Sequence, residues 1–187
     1  MTPASDARPP KGQGSLTDDQ AVLERTRVRE ALARYVDALN HRDWEVYRDC
    51  WTEDGTFQTI FDTESVATAK IKERSDVPIN LKVSGIEEVM HLVSGYNKIP
   101  WLVQLPHAAH VELHGERLAC TRHVMIIYSY AEILVGHCYD EFAKCDDGLW
   151  RLRSRDYRPT YMESTSPPGR ITRHLPVAGY DALPDRP

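Results

Sequence analysis

The chain lacks any two cysteines at CxxC spacing, which removes zinc-ribbon and dithiol redox motifs. Its four cysteines, Cys50, Cys120, Cys138 and Cys145, read instead as reduced thiols of a cytoplasmic protein. Basic residues are not in excess: 23 Lys and Arg face 28 Asp and Glu, a formal charge of -5. No basic stripe marks a nucleic-acid partner. No apolar run approaches the ~20 residues that span a bilayer. No apolar stretch follows a basic start, so a secretory signal is not expected. There is no GxGxxG and no His-Glu-x-x-His. Neither an organic cofactor nor a metal is expected.

What is present reads as one domain, since 187 residues can bury a sizeable core. Residues 1–15 are rich in Pro, Gly, Ser and Ala and are expected to be disordered. The domain should occupy residues 16–162. Thr17 with Gln20 three residues later predicts a capped helix start. Val28, Ala31, Leu32, Tyr35, Val36 and Leu39 then fall on one helical face. Asn40 lies on its flank, and Asp37 points roughly opposite, to water. Asp43 should cap a short second helix through Tyr47 and Cys50. Asp54-Gly55 reads as a turn before a strand over Thr56–Phe61. Val66–Lys72 and Ile79–Val83 read as an inserted hairpin, and Gly85 opens a third helix to about Tyr96.

Strands are expected at His107–His114, Leu118–Tyr128, Ile133–Lys144 and Leu149–Tyr157. The second is apolar on both faces, as in a sheet covered on both sides. Helices would cover one side, and a pocket or a partner subunit the other. From residue 163 the chain is Pro- and Gly-rich, with Ile171, Leu175, Val177 and Tyr180 available to cover a pocket mouth. His107, His110 and His114 do not converge on one strand face, so their spacing argues against a metal site.

Two phrases carry a family resemblance. One is Tyr35-Val36-Asp37-Ala38-Leu39-Asn40-His41-Arg42-Asp43-Trp44. The other runs from Tyr139-Asp140-Glu141-Phe142 through Trp150-Arg151-Leu152 to Arg155. Over roughly residues 20–160 the chain resembles the SnoaL-like branch of the nuclear transport factor 2-like superfamily. The resemblance implies an α+β cone: a curved, mostly antiparallel sheet wrapped by N-terminal helices around one deep pocket. Bile acid dehydratase, scytalone dehydratase and hexachlorocyclohexane dehydrochlorinase are similar functional types. Their pattern places a Tyr and an Asp at the end of the first helix, a His before the next long strand, and an Arg near the last. Tyr35 falls on the tyrosine position. His107, twelve residues before Ala119, falls on the histidine position, and Arg155, with Arg158 as a competitor, on the arginine. Asn40 stands where the resemblance implies the acid–base Asp. Asn cannot titrate, so Asp140, Glu141 or Asp156 could supply a carboxylate from the sheet.

Bland readings stand beside these. Tyr35 packs the core, Asn40 ends the helix in a left-handed conformation, His107 starts a strand, and Arg155 meets a surface partner. His123 and His137 could face the cavity, though satisfied core histidines are the more ordinary reading. The expectation is a cofactor-free lyase or isomerase of dehydratase or cyclase type, acting on a hydrophobic oxygenated molecule such as a polyketide, terpenoid or steroid. His107 would be the base, Tyr35 and Asn40 would bind oxygen, and Arg155 would give electrostatic support. The partners expected are that small molecule and a second copy in a homodimer, with no nucleic acid and no membrane. The alternatives are a silent ligand- or partner-binding protein and the small subunit of a ring-hydroxylating oxygenase.

Overall fold

The computed structural model describes residues 16–60, 80–95, 102–129 and 132–164. The expected disordered N-terminus, the hairpin arm Val66–Lys72 and the tail beyond Ser164 lie outside the described residues. Helix α1 spans Asp18–His41. Thr17 and Gln20 close a reciprocal capping box, with Gln20 N donating to Thr17 Oγ1 and Thr17 N donating to Gln20 Oε1. The left-handed C-cap is Arg42, at φ 57°, and not Asn40, which stays inside the helix. Helix α2 spans Trp44–Asp49, capped by Asp43 Oδ1 accepting from Val46 N. Helix α3 spans Ile86–Ser94 and starts at Gly85.

Among the described residues the sheet has seven strands: β1 Trp51–Ile60, β2 Asn80–Ser84, β3 Leu102–Pro106, β4 His110–Leu113, β5 Leu118–Ser129, β6 Glu132–Lys144 and β7 Trp150–Ser164. Their order is β2-β1-β7-β6-β5-β3, with β4 also paired to β5. The β1–β7 pairing is parallel and the others are antiparallel. The architecture is α+β, with helices wrapping one face of a large curved sheet.

Four details depart from expectation. Asp54-Gly55 is no turn: β1 begins at Trp51 and passes through them with a register shift. A Cβ on Gly55 would lie 2.9 Å from both Thr52 O and Trp51 Cε3, so glycine makes room for the close approach at this irregularity. Strand β3 carries little local signal, because Leu102–Pro106 is short and ends in proline. His107 consequently does not start a strand. Residues 107–109 form an irregular break between β3 and β4, both of which pair with β5. Finally, β7 runs through Ser164, past the strand end expected at Tyr157.

Alternation along β5 sends Ala119, Thr121, His123 and Met125 inward, under α1. Val28, Leu32, Tyr35, Val36 and Leu39 meet them from the helix, so the core lies between helix and sheet. The open end of α1 is clamped by Glu24. Its carboxylate accepts from Trp150 Nε1 at 2.7 Å, Lys144 Nζ at 2.8 Å and Arg27 Nη1 at 2.8 Å. Burial favours the neutral acid, but these donors hold its pKa below the usual carboxylate value.

Candidate active site

One cross-strand row builds a polar centre inside the core. Thr121 on β5 pairs with Asp140 on β6, which pairs with Arg155 on β7. The adjoining row holds His123, Cys138 and Tyr157. Arg155 should point outward by simple alternation from Trp150 and Leu152. A register shift at Arg153 inserts one residue and reverses the parity, so Arg155 and Tyr157 turn inward.

The Arg155 guanidinium donates to both oxygens of Asp140, Nε to Oδ1 and Nη2 to Oδ2, each at 2.7 Å. Thr121 Oγ1 donates to Asp140 Oδ2 at 3.2 Å. The face of the guanidinium lies 4.1 Å from the Tyr35 ring centroid. Tyr35 Oη accepts from Tyr47 Oη at 3.3 Å. Trp51 packs edge-on against Tyr35, with ring centroids 5.9 Å apart. The side chains of Asp140 and Arg155 are 0% and 2% exposed. Burial opposes the Arg155 charge, yet the Asp140 carboxylate outweighs it and pushes the guanidinium pKa well above its ordinary value. Burial raises the Tyr35 phenol above its ordinary value despite the opposing pull of Arg155.

His123 completes the centre. Its side chain is fully buried, with Nδ1 3.7 Å from Asp140 Oδ2, beyond hydrogen-bond reach. Neither ring nitrogen has a hydrogen-bond partner among the described residues, and neither does Nη1 of Arg155. Desolvation lowers the imidazole pKa to about 4; Asp140 pulls it up and Arg155 pushes it further down. At neutral pH the ring is uncharged, able to accept a proton at one nitrogen and hold one at the other. A buried imidazole left without hydrogen bonds beside a carboxylate that is already fully engaged is costly as mere packing.

The structure thus brings Tyr35 and Arg155 together and leaves His107 and Asn40 out of the cluster. His107 is exposed, its backbone N–H donating to Val124 O. Asn40 is spent on the backbone of β3: its Nδ2 donates to Gln104 O at 2.9 Å, and its Oδ1 accepts from Gln104 N at 2.7 Å. The amide pairs with the edge of β3 that no strand covers among the described residues, as another strand would, docking the end of α1 to the sheet. Asn40→Asp should therefore cost about 1–3 kcal/mol at neutral pH, because one donor is lost and a carboxylate faces a carbonyl. The protonated acid can restore that donor. The new carboxyl's folded pKa is then raised above about 3.9, so the lost stability returns as pH falls through it. Urea midpoints at pH 7 and pH 4, relative to the parent, would measure both effects.

His123 and Asp140 are legible in the sequence only in part. His123 shares strand parity with Ala119, Thr121 and Met125, so that Thr121 and His123 form a polar break between apolar residues, and that parity is the available signal. Among the described residues, no group of three His, Cys, Asp or Glu is placed to hold a metal. No helix there is long and apolar enough to cross a membrane. On the outer face a recess of about 460 Å³ is lined by Cys120, Arg122, Tyr139, Glu141, Ser154 and Asp156 among others.

A family model for the SnoaL-like domain matches residues 20–156. The chain belongs to the SnoaL-like family. Solved structures share its fold at low identity. One, provisionally assigned as a scytalone dehydratase of Novosphingobium aromaticivorans, aligns with TM-score 0.63 and 15% identity, over 80% of this chain and 92% of that one. Hexachlorocyclohexane dehydrochlorinase LinA-type3 of Novosphingobium barchaimii aligns with TM-score 0.65 and 10% identity, over 83% and 99%. A single-substitution variant of Rv3472 of Mycobacterium tuberculosis, a protein of unknown function, aligns with TM-score 0.58 and 21% identity, over 78% of each chain. No curated protein sequence matches this chain. For this SnoaL-like protein, identities this low speak to the cone fold alone.

Proposed function

We propose that this SnoaL-like protein is a cofactor-free lyase or isomerase of dehydratase or cyclase type, acting on a hydrophobic oxygenated small molecule. The observation that carries the reading is His123: an uncharged, fully buried imidazole, both nitrogens unpartnered, 3.7 Å from a carboxylate that is itself fully engaged. His123 takes over the base role expected of His107. The imidazole removes a proton from the carbon beside a carbonyl, and the C–H electron pair moves into an enolate. Asp140 stabilises the imidazolium, and Arg155 Nη1 donates to the enolate oxygen. The proton then passes to a leaving hydroxyl, which departs as water, or to a second carbon, which moves the double bond. Tyr35 covers one face of the guanidinium, and Tyr47 holds Tyr35 in place. A polyketide, terpenoid or steroid would suit a site set among aromatic and aliphatic side chains.

The test is hydrogen exchange. A panel of hydrophobic ketones in D₂O, followed by NMR, should lose α-protons faster with the protein than in buffer. Exchange at the buffer rate across cyclic, aromatic and steroid ketones would overturn the reading. It would favour a silent ligand-binding protein, for which Asn40, untitratable and committed to Gln104, already argues.

The same proposal includes a homodimer built through the outer sheet face. Leu105, Ile126, Val135 and Tyr161 form one row across β3, β5, β6 and β7. Leu105 is 47% and Tyr161 50% exposed. An apolar row running across four strands is a surface that a second copy could cover. Light scattering at micromolar concentration should return twice the 21.4 kDa chain mass. A monomer mass would refute it, and Leu105→Lys should shift the dimer towards monomer.

A further inference from the structure

The outer face of the sheet is complementary to itself about its middle. Its side chains stand in rows that cross β3 or β4, then β5, β6 and β7. The apolar row runs Leu105, Ile126, Val135, Tyr161. Four residues away along β5, about 13 Å at ~3.4 Å per residue, another row runs His110, Arg122, Tyr139, Asp156. A histidine and an arginine fill the β4–β5 half of that row; an aromatic ring and a carboxylate fill the β6–β7 half. The row borders the outer recess of about 460 Å³, whose lining also includes Cys120 and Glu141. Arg153 and Arg158 on this face pair with Glu141 and Asp156. Arg122 is exposed and has no ion pair among the described residues. Tyr139 is 41% exposed and holds Arg158 over its ring at 5.0 Å, so a second guanidinium would take the opposite face.

We propose that two copies pack these faces together about a twofold axis parallel to the strands, between β5 and β6, with Arg122 of each copy on Tyr139 of the other and beside its Glu141. The inference rests on the homodimer reading above, not on the catalytic one, and adds the orientation and the contact that fixes it. A twofold in that place exchanges β5 with β6, and the β3–β4 side with β7. Leu105 of one copy then meets Tyr161 of the other, and Ile126 meets Val135, so the whole apolar row is covered. Arg122 meets Tyr139, and His110 meets Asp156. Each arginine enters the opposite recess, gaining a ring face and a carboxylate there. Neither row sets like charges opposite each other, as a self-complementary interface requires. Packed sheets keep their strands within about 30° of each other, so rows close to the axis stay in register. A twofold across the strands, through the apolar row, does not do this. It would set Val124 over Tyr128 and carry Arg122 past Ser129, where β5 ends. The charged row and the recess would then stay uncovered.

Two charge reversals on the full chain test the contact, with light scattering over a range of concentrations as the readout. Arg122→Glu puts a carboxylate beside Glu141 of the other copy, and Glu141→Arg puts a guanidinium beside its Arg122. Each variant alone should raise the dimer dissociation constant at least about tenfold. An equimolar mixture of the two should recover the parent value. In the mixed dimer the introduced carboxylate faces the introduced guanidinium at one contact, and the native pair survives at the other. That recovery also shows that both variants are folded. Variants that dimerise as the parent does, or a mixture as weak as its components, would overturn the inference. The outcomes separate it from the reading it rests on. A parent dimer dissociated by Leu105→Lys but indifferent to both reversals keeps the apolar interface and removes this orientation. A parent of monomer mass removes both.

Discussion

His123→Gln is expected to lower the α-proton exchange rate by about 10²–10⁴-fold, the usual contribution of one acid–base group. Glutamine fills much of the imidazole's space and can hydrogen-bond, but it cannot take up a proton. The pH profile distinguishes a base from a packing residue. With its pKa lowered to about 4 by burial, the imidazole stays unprotonated from pH 8 down to nearly pH 5. The acid limb of kcat/KM should therefore fall near pH 4 and not near the ordinary histidine value of about 6.5. Stability carries the same signature. Between about pH 6.5 and 4 the unfolded chain binds a proton at His123 that the folded chain does not. Stability is then fully present above the unfolded value and is lost as pH falls, by about 3 kcal/mol once pH is below the folded value. His123→Gln should remove that component, so its urea midpoint should move less than the parent's between pH 7 and 4.5. An unaltered rate, or an acid limb near 6.5 in the parent, would dismiss His123 as the base.

Arg155→Met should be the most destabilising single change at the centre. It strips Asp140, whose side chain is 0% exposed, of both its guanidinium bonds and leaves Thr121 as the one remaining side-chain donor among the described residues. An uncompensated buried carboxylate of this kind costs about 3–5 kcal/mol, a large part of the 5–15 kcal/mol typical of a domain. Adding Asp140→Leu should recover most of the loss, because replacing both ions by apolar groups removes the unpaired charge. The recovery would be read as a coupling term in a double-mutant cycle of urea denaturation. The doubly substituted protein would fold yet catalyse no exchange, separating the pair's electrostatic role from its structural one. If Arg155→Met cost less than about 1 kcal/mol, the pair would behave as a solvated surface bridge, and its place in a desolvated site would be wrong.

The elements of this protein are written locally. Thr17 and Gln20 announce the start of α1, the 3.6-residue stripe from Val28 to Leu39 gives its buried face, and Asp43 caps α2. The long apolar runs and the turns between them give β5 and β6 their extent, though β5, apolar on both faces, does not announce which side is buried. These signals survive translation along the chain because each depends on neighbours within a few residues. The short Tyr35–Trp44 and Tyr139–Arg155 phrases are enough to point to the family. The site is decided elsewhere. Arg155 faces inward only because β7 gains a residue at Arg153 against β6, a count set by two strands together. His123, Asp140 and Arg155 meet only because the β5–β6 and β6–β7 registers align with each other, and no spacing within the chain encodes that. His107 loses its place because β3 ends at Pro106 and the chain breaks before β4. Asn40 turns structural because α1 ends beside the outer edge of β3, where the N–H and C=O of Gln104 need partners. Local periodicity makes the helices and strands, whereas register, bulge and edge pairing, all non-local, choose which polar side chains are shut away from water.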